Sequence, residues 1–473
     1  MSLELVIAYV FGFGPLLLIG VGIPAFVILS AAIGLTRPML LLLGYLAILF
    51  FFGQSTYGQL DNSRVIYSRG TGQLFFSAVV WGLWSLALVI SIWGAFSRKV
   101  MHPTNMALPA IGLLVLFTGH MAVGLVQEVP VEKLLGGTGL INFMHLLVIA
   151  FVVLKLPQDK RDLDLLTTFM VLALAARGVF GLVRLAAFGG DPSNVYSNVE
   201  HIAVKISFFD ICDSLLASVV FYYCLRRLAA GWKQLSNPQR LGLMAIAAIE
   251  LAVIILSYRR TAWAGLLLVC VWLVLTAPPK TRQLAWLGLP AILAGVAMVA
   301  RNRLERAAAG RGIFETFFYD LVSKGTFERE SSRVVELKLA FLTFLDNPVF
   351  GVGMWGKFQS GALIGWQTGT DAFNFVHSGV LHILFKTGLV GFTLFAITVG
   401  LFMQFLATKR RLVPVSDRIL FDACIAGFLF MLPDFLIGTP IPQIRTMMLY
   451  GFLLALPYVI VGVAQQPVSP VTA

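Results

Sequence analysis

Five arginines stand where a chain this apolar has little structural use for charge. Arg177 and Arg184 lie inside an apolar run, Arg259-Arg260 in a tight turn and Arg333 in a long polar loop. A guanidinium presents a rigid fork of donors that grips phosphate oxygens bidentately, so such a set suits an anion, and a diphosphate in particular. Arg177 and Arg184 are seven apart and fall on nearly one face of a helix. Charge inside an apolar span is costly unless it faces a polar cavity or a partner. The plainer alternative therefore stays open: a pair with Asp210, Asp213 or Glu250, or snorkelling by Arg184, and ordinary interfacial anchoring for Arg259-Arg260. Asp210 and Asp213, three apart on one helix, also fit a cation- or proton-coupled transporter, although no internal repeat accompanies them. His377 stands alone at the start of an apolar run, with His382 and Lys386 one helical turn apart behind it. A phosphate-cradling Gly-rich loop, paired His/Cys ligand spacing and a serine nucleophile elbow do not occur in the sequence, which leaves nucleotide-driven, zinc and serine-hydrolase chemistry without support.

The elements that must position these groups follow from composition. The chain has 473 residues, 58% hydrophobic and only 12% charged, with mean hydropathy +0.87. No water-soluble domain of this length covers itself with so little polar surface; disorder, a secreted disulfide scaffold and a transmembrane barrel are excluded as well. Apolar runs of membrane-crossing length lie near 38–53, 74–96, 106–126, 139–156, 165–188, 204–226, 241–257, 262–277, 284–299, 378–406, 419–439 and 446–463, and 5–35 adds one or two more. The expected fold is an all-α polytopic bundle of about 12–14 helices. The N-terminus lacks the pattern of a cleaved secretory signal and is read as mature structure.

The charge of +12 reflects 35 Lys+Arg against 23 Asp+Glu. Basic loops at Arg98-Lys99, Lys160-Arg161, Arg226-Arg227, Lys280/Arg282 and Lys409-Arg410-Arg411 alternate along the chain, which predicts one cytoplasmic side. The loops holding Arg259-Arg260 and residues 300–377 then face outward. This division gives helices over 1–299, a large outward cap over 300–377 and C-terminal helices over 378–473. Within the cap, Ser331-Ser332 opens a helix whose Val334, Leu337, Phe341 and Phe344 share one face, with Arg333 and Glu336 away from it, ended by Asp346-Asn347-Pro348. Such a helix would rest its apolar side on the membrane surface or on the bundle. Cys212, Cys224, Cys270 and Cys424 all fall in spans, without metal spacing, and read as packing residues.

From His377-Ser378 the chain runs through nine residues to Gly388-Leu389-Val390-Gly391. This pattern resembles the signature of the bacterial O-antigen ligase family and its polymerase relatives. Ser257-Tyr258-Arg259-Arg260-Thr261-Ala262-Trp263 is similar to that family's outward turn opening a helix. Ser332-Arg333 through Asp346-Asn347-Pro348-Val349-Phe350-Gly351-Val352-Gly353 resembles the core of its periplasmic loop. The resemblance, which spans roughly 240–410, implies a metal-independent glycosyltransferase, with no cofactor, in the bacterial inner membrane. It would move a glycan from an undecaprenyl-diphosphate donor to an acceptor on the periplasmic side: lipid A core, another lipid-linked glycan, or a protein. Ligase-like chemistry is the expectation, a polysaccharide polymerase the nearest alternative, and a lipid-linked glycan or ion transporter the alternative of another class. Nucleic acid is not an expected partner. On this reading Arg177, Arg184, Arg259, Arg260 and Arg333 stabilise the diphosphate leaving group. His377, whose side-chain type titrates near neutrality, is the base. Glu250, His382 and Lys386 are expected as supporting groups, with Glu250 an alternative base.

Overall fold

The computed structural model describes residues 36–51, 107–135, 140–188, 211–257, 259–307, 332–358, 376–438 and 444–465, and isolated positions between 25 and 33. The expected spans 74–96 and most of 5–35, Asp210, and the side chain of Arg333 lie outside the described residues. Among the described residues the protein is all-α, with thirteen α-helices and no strand. These are α1 (Pro38–Phe51), α2 (Ala107–Val126), α3 (Val131–Leu135), α4 (Leu140–Lys155), α5 (Lys160–Phe188), α6 (Ile211–Gly231), α7 (Asn237–Ile255), α8 (Arg260–Thr276), α9 (Pro279–Ala307), α10 (Ser332–Asp346), α11 (Gly379–Lys409), α12 (Val415–Ile437) and α13 (Ile444–Ala464). Among these, α2, α5, α7, α11, α12 and α13 hold apolar stretches long enough to cross a membrane, and α1, α4, α8 and part of α9 are shorter apolar helices. The chain is a multi-pass helical membrane protein.

The helices follow the apolar runs because, in hydrocarbon, a helix satisfies every backbone donor and acceptor within its own segment. Hydrophobicity does not choose neighbours there, so close approach at small residues does. A Cβ at Gly451 of α13 would lie 2.3 Å from the Leu146 carbonyl of α4, and one at Gly265 of α8 2.3 Å from the Phe430 carbonyl of α12. Both pairs pack backbone to backbone. The core lies between α13, α4, α6 and α12, where Tyr222, Phe421, Phe430, Phe452 and Tyr458 are all buried.

One buried ion cluster ties this core together. Asp213 of α6 accepts from Arg177 Nη2 of α5 at 3.2 Å and from Arg445 Nη2 of α13 at 2.8 Å. Arg445, fully enclosed, also donates to the carbonyls of Leu49 and Phe50 at 2.9 and 3.1 Å. Those carbonyls belong to the last turn of α1, whose acceptors have no partner within the helix. One guanidinium therefore closes a helix end 395 positions away in sequence and balances a carboxylate 232 positions away. Its geometry sets α1, α5, α6 and α13 against one another.

Removing Asp213 leaves two buried cations without their shared counter-ion, a change that costs about 3–5 kcal/mol. Asp213→Ala is accordingly expected to lower the thermal midpoint in detergent sharply, whereas Asp164→Ala, at an exposed carboxylate of α5, should leave it within experimental error. Equal midpoints for the two variants would contradict this role for Asp213.

Candidate active site

α11 is a helix with a break. Ser378 caps it, its hydroxyl accepting from the Leu381 amide at 3.3 Å, and His377 directly precedes the cap. Ten residues on, Gly388 takes φ +63° and ψ −169°, which interrupts the helical ladder. An interrupted ladder exposes carbonyls and amides that must find partners. The segment after α10 provides them. Val352 and Gly353 donate to the carbonyls of Phe385 and Lys386 at 3.0 and 2.8 Å, and Leu389 and Val390 donate to those of Pro348 and Val349 at 2.8 and 3.1 Å. The fit is close enough to demand glycine on both sides. A Cβ at Gly388 would sit 2.3 Å from the Val349 carbonyl, and one at Gly351 (φ +68°) 2.5 Å from that of Phe385. Met354 then ties the segment to α2 through the His120 carbonyl at 3.0 Å, and the Lys386 ammonium donates to the Gly356 carbonyl.

This docking fixes α10. Its inward face carries Glu336, Ala340, Thr343 and Phe344, packed on Phe385, Val376 and Val352, while Phe341 is turned outward. The sequence expectation is corrected here: Glu336 does not lie away from the packed face but at its centre, fully buried. Its carboxylate accepts the His377 backbone amide at 2.8 Å and meets His377 Nδ1 at 3.0 and 3.3 Å. Glu336 faces His377 and Pro348 faces Leu389, the same interval on each strand of chain, so α10 runs alongside the first turns of α11 in fixed register. A carboxylate on Nδ1 places the ring hydrogen there, and Nε2 of the neutral ring then carries the lone pair. The imidazole is one-quarter exposed. It is thus a partly exposed ring held by the Glu336 carboxylate.

The arginine turn is linked to this region through α12. Ser257 donates to the Ile254 carbonyl at 2.7 Å and accepts from the Arg259 amide at 3.4 Å, and Trp263 Nε1 donates to the Ile255 carbonyl at 3.0 Å. These bonds hold the turn that starts α8, with Arg259 and Arg260 partly exposed. Thr261 donates to Asp434 Oδ1 of α12 at 3.1 Å. The next residue, Phe435, lies against Gly379, where a Cβ would approach its ring to 2.7 Å. The end of α12 is therefore the common support for the arginine turn and for the start of α11 beside His377.

The other expected residues divide. Arg184 is partly exposed near the end of α5, and the backbone of Arg333 belongs to the first turn of α10. Arg177 is buried against Asp213, the structural pairing that the sequence leaves open. Glu250 is buried on α7, its Oε1 facing Gly178 of α5, next to that same ion cluster, and it is Glu336 that meets His377. His382 packs edge-on to Phe385 at 5.6 Å, and Lys386 lies over that ring at 4.9 Å, so both brace the junction of α10 and α11. Glu336 and Asp434 are the residues that sequence reasoning misses. The apolar pattern of α10 set Glu336 on the wrong side, and nothing local marked Asp434.

Gly388→Ala and Gly351→Ala should each destabilise the junction by at least about 1–3 kcal/mol, through positive φ and lost room together. Thermal unfolding in detergent and faster proteolysis at 348–358 are the measurements. Wild-type behaviour in both would mean that the break does not hold the junction.

No protein of curated function matches the chain. Residues 243–396 match the family model described as O-antigen ligase, a stretch that contains the arginine turn, α10, Glu336, His377 and the Gly388 break, and leaves the N-terminal half and Asp434 outside. Through this region, about a third of the chain, the protein is similar to the O-antigen ligase family.

Proposed function

We propose that the protein is a metal-independent glycosyltransferase of the bacterial inner membrane, with its site facing the periplasm. It takes a glycan from an undecaprenyl-diphosphate donor to an acceptor hydroxyl, in the manner of an O-antigen ligase. The observation that carries this reading is the buried carboxylate of Glu336 on His377 Nδ1 at 3.0 Å, at a helix start that shares its support on α12 with a turn of two adjacent arginines. An imidazole held in one tautomer by a carboxylate is a prepared general base. The acceptor hydroxyl gives its proton to Nε2 as its oxygen bonds to the anomeric carbon. The bond from that carbon to the phosphate oxygen breaks, and its electron pair leaves with the lipid diphosphate. Charge grows on that diphosphate, and Arg259 and Arg260, with Arg184 and Arg333, are the groups proposed to stabilise it. Arg177 holds Asp213 and is assigned to structure in this scheme. Asp213 lies between two arginines, which speaks against an ion-coupling carboxylate and for an enzyme over a transporter. The alternation of basic loops supports the outward orientation.

In detergent or liposomes, with lipid-diphosphate glycan and candidate acceptors, His377→Ala should lose roughly 10²–10⁴-fold in rate, and Arg260→Ala a similar factor, with folded protein retained. Glu336→Gln should lower kcat with little change in KM, since it orients the base without touching the donor. EDTA should leave the rate unchanged. A product on lipid A core marks a ligase, a lengthened lipid-linked glycan a polymerase. Glycan crossing a sealed vesicle without either product would overturn the enzyme assignment, and full turnover by His377→Ala would remove that residue from it.

A further inference from the structure

α10 has two apolar sides, and only one meets protein among the described residues. Opposite the face that carries Glu336, Ala340 and Phe344, it presents Phe341, Leu342 and Leu345, exposed by 47%, 40% and 53%, and the following segment adds Val349 and Phe350 at 51% and 58%. Five large apolar side chains gathered on one surface need a partner, since soluble surfaces rarely expose a contiguous patch of this size.

The neighbouring element identifies the partner. Val349 and Pro348 are hydrogen-bonded to Val390 and Leu389 of α11, whose own side chains are exposed by 51% and 53%. Those two begin the outward face of a membrane-crossing helix that continues through Ile397, Val399 and Met403, all exposed apolar residues. From Gly388 to Lys409 α11 extends about 32 Å at 1.5 Å per residue, about the full thickness of a hydrocarbon core. Gly388 therefore lies near the bilayer boundary on the His377 side, and the patch is continuous with a lipid-facing surface at that depth. Exposed Lys338 and Asp346 flank it, which keeps it at the boundary and out of the hydrocarbon centre.

We infer that the Phe341, Leu345, Val349 and Phe350 face of α10 is a membrane-docking surface, immersed in the acyl-chain boundary of the leaflet on the His377 side. By the α10–α11 register, Phe350 is the deepest anchor and Glu336 the highest point, level with His377. The bilayer thus forms one wall of the site and helps to hold Glu336 on the imidazole. This inference is independent of the glycosyl-transfer assignment.

Full-length protein in phosphatidylethanolamine/phosphatidylglycerol liposomes, spin-labelled at Phe341→Cys, Leu345→Cys or Phe350→Cys, tests it by power saturation with oxygen and with nickel-EDDA. The four native cysteines are buried, and unsubstituted protein treated with the label provides the background. Val390→Cys is the lipid reference and Glu128→Cys, at an exposed turn, the aqueous one. The expected result is an oxygen-to-nickel accessibility ratio at Leu345 and Phe350 several-fold above that at Glu128 and close to that at Val390, with Phe341 between. A ratio equal to that at Glu128 overturns the proposal. So does low accessibility to both reagents, which would mean that another part of the chain or a second copy covers the face. Leu342→Cys and Val349→Cys carry the same expectation, so failure of one variant to fold leaves the test intact.

Discussion

The site depends on a broken helix. Backbone amides and carbonyls freed within an apolar region have no water to turn to, so the interruption of α11 at Gly388 can exist only if another segment supplies their partners. Residues 348–353 do so with four hydrogen bonds, and glycines at 351 and 388 allow the two backbones to meet at that distance. Once this segment is docked, α10 has one register against α11. That register brings Glu336 onto His377, far from it in sequence.

Charge is used in two different ways in this chain. The cluster of Arg177, Asp213 and Arg445 is sealed in the bundle, and its members satisfy one another and the end of α1. Such a cluster contributes little net stability over apolar packing, yet fixes which helices adjoin, because any misplacement strands a buried charge. Arg259 and Arg260 are different. They sit partly exposed on a turn whose backbone is fixed by Ser257, Trp263 and the Thr261–Asp434 bond. The turn and the held imidazole share a support on α12, which suits the leaving-group stabilisation and proton transfer proposed for them.

α12 gives these parts a common floor. Asp434 supports the start of α8 and Phe435 abuts the start of α11, so the arginines and the histidine share a support outside the stretch that matches the family model. The bracing by Lys386 and His382 acts from below, through Gly356 and the Phe385 ring. Both are expected from sequence as supporting groups, and in the structure they brace the junction of α10 and α11.

The sequence by itself determined the fold class, the helices and most of the chemical inventory. Twenty-residue apolar runs admit few structures in a bilayer besides helices, and types such as Arg260 and His377 declare what they can do wherever they stand. Resemblance to the O-antigen ligase family also marked the segment from Ser332 to Gly353 and the glycines at 388 and 391, without giving their reason. Only the tertiary structure decided which charge meets which. Hydrophobic periodicity placed Glu336 on the outer face of α10, because it weighs apolar side chains and cannot foresee a carboxylate held by a histidine on another helix. Asp213 stood as one of three open partners for Arg177, but its sharing with Arg445, and the place of Asp434 under the arginine turn, were illegible for the same reason. Helix propensity and hydropathy act over a few residues, whereas a buried ion pair or a hydrogen bond between helices depends on where the whole chain brings its two ends.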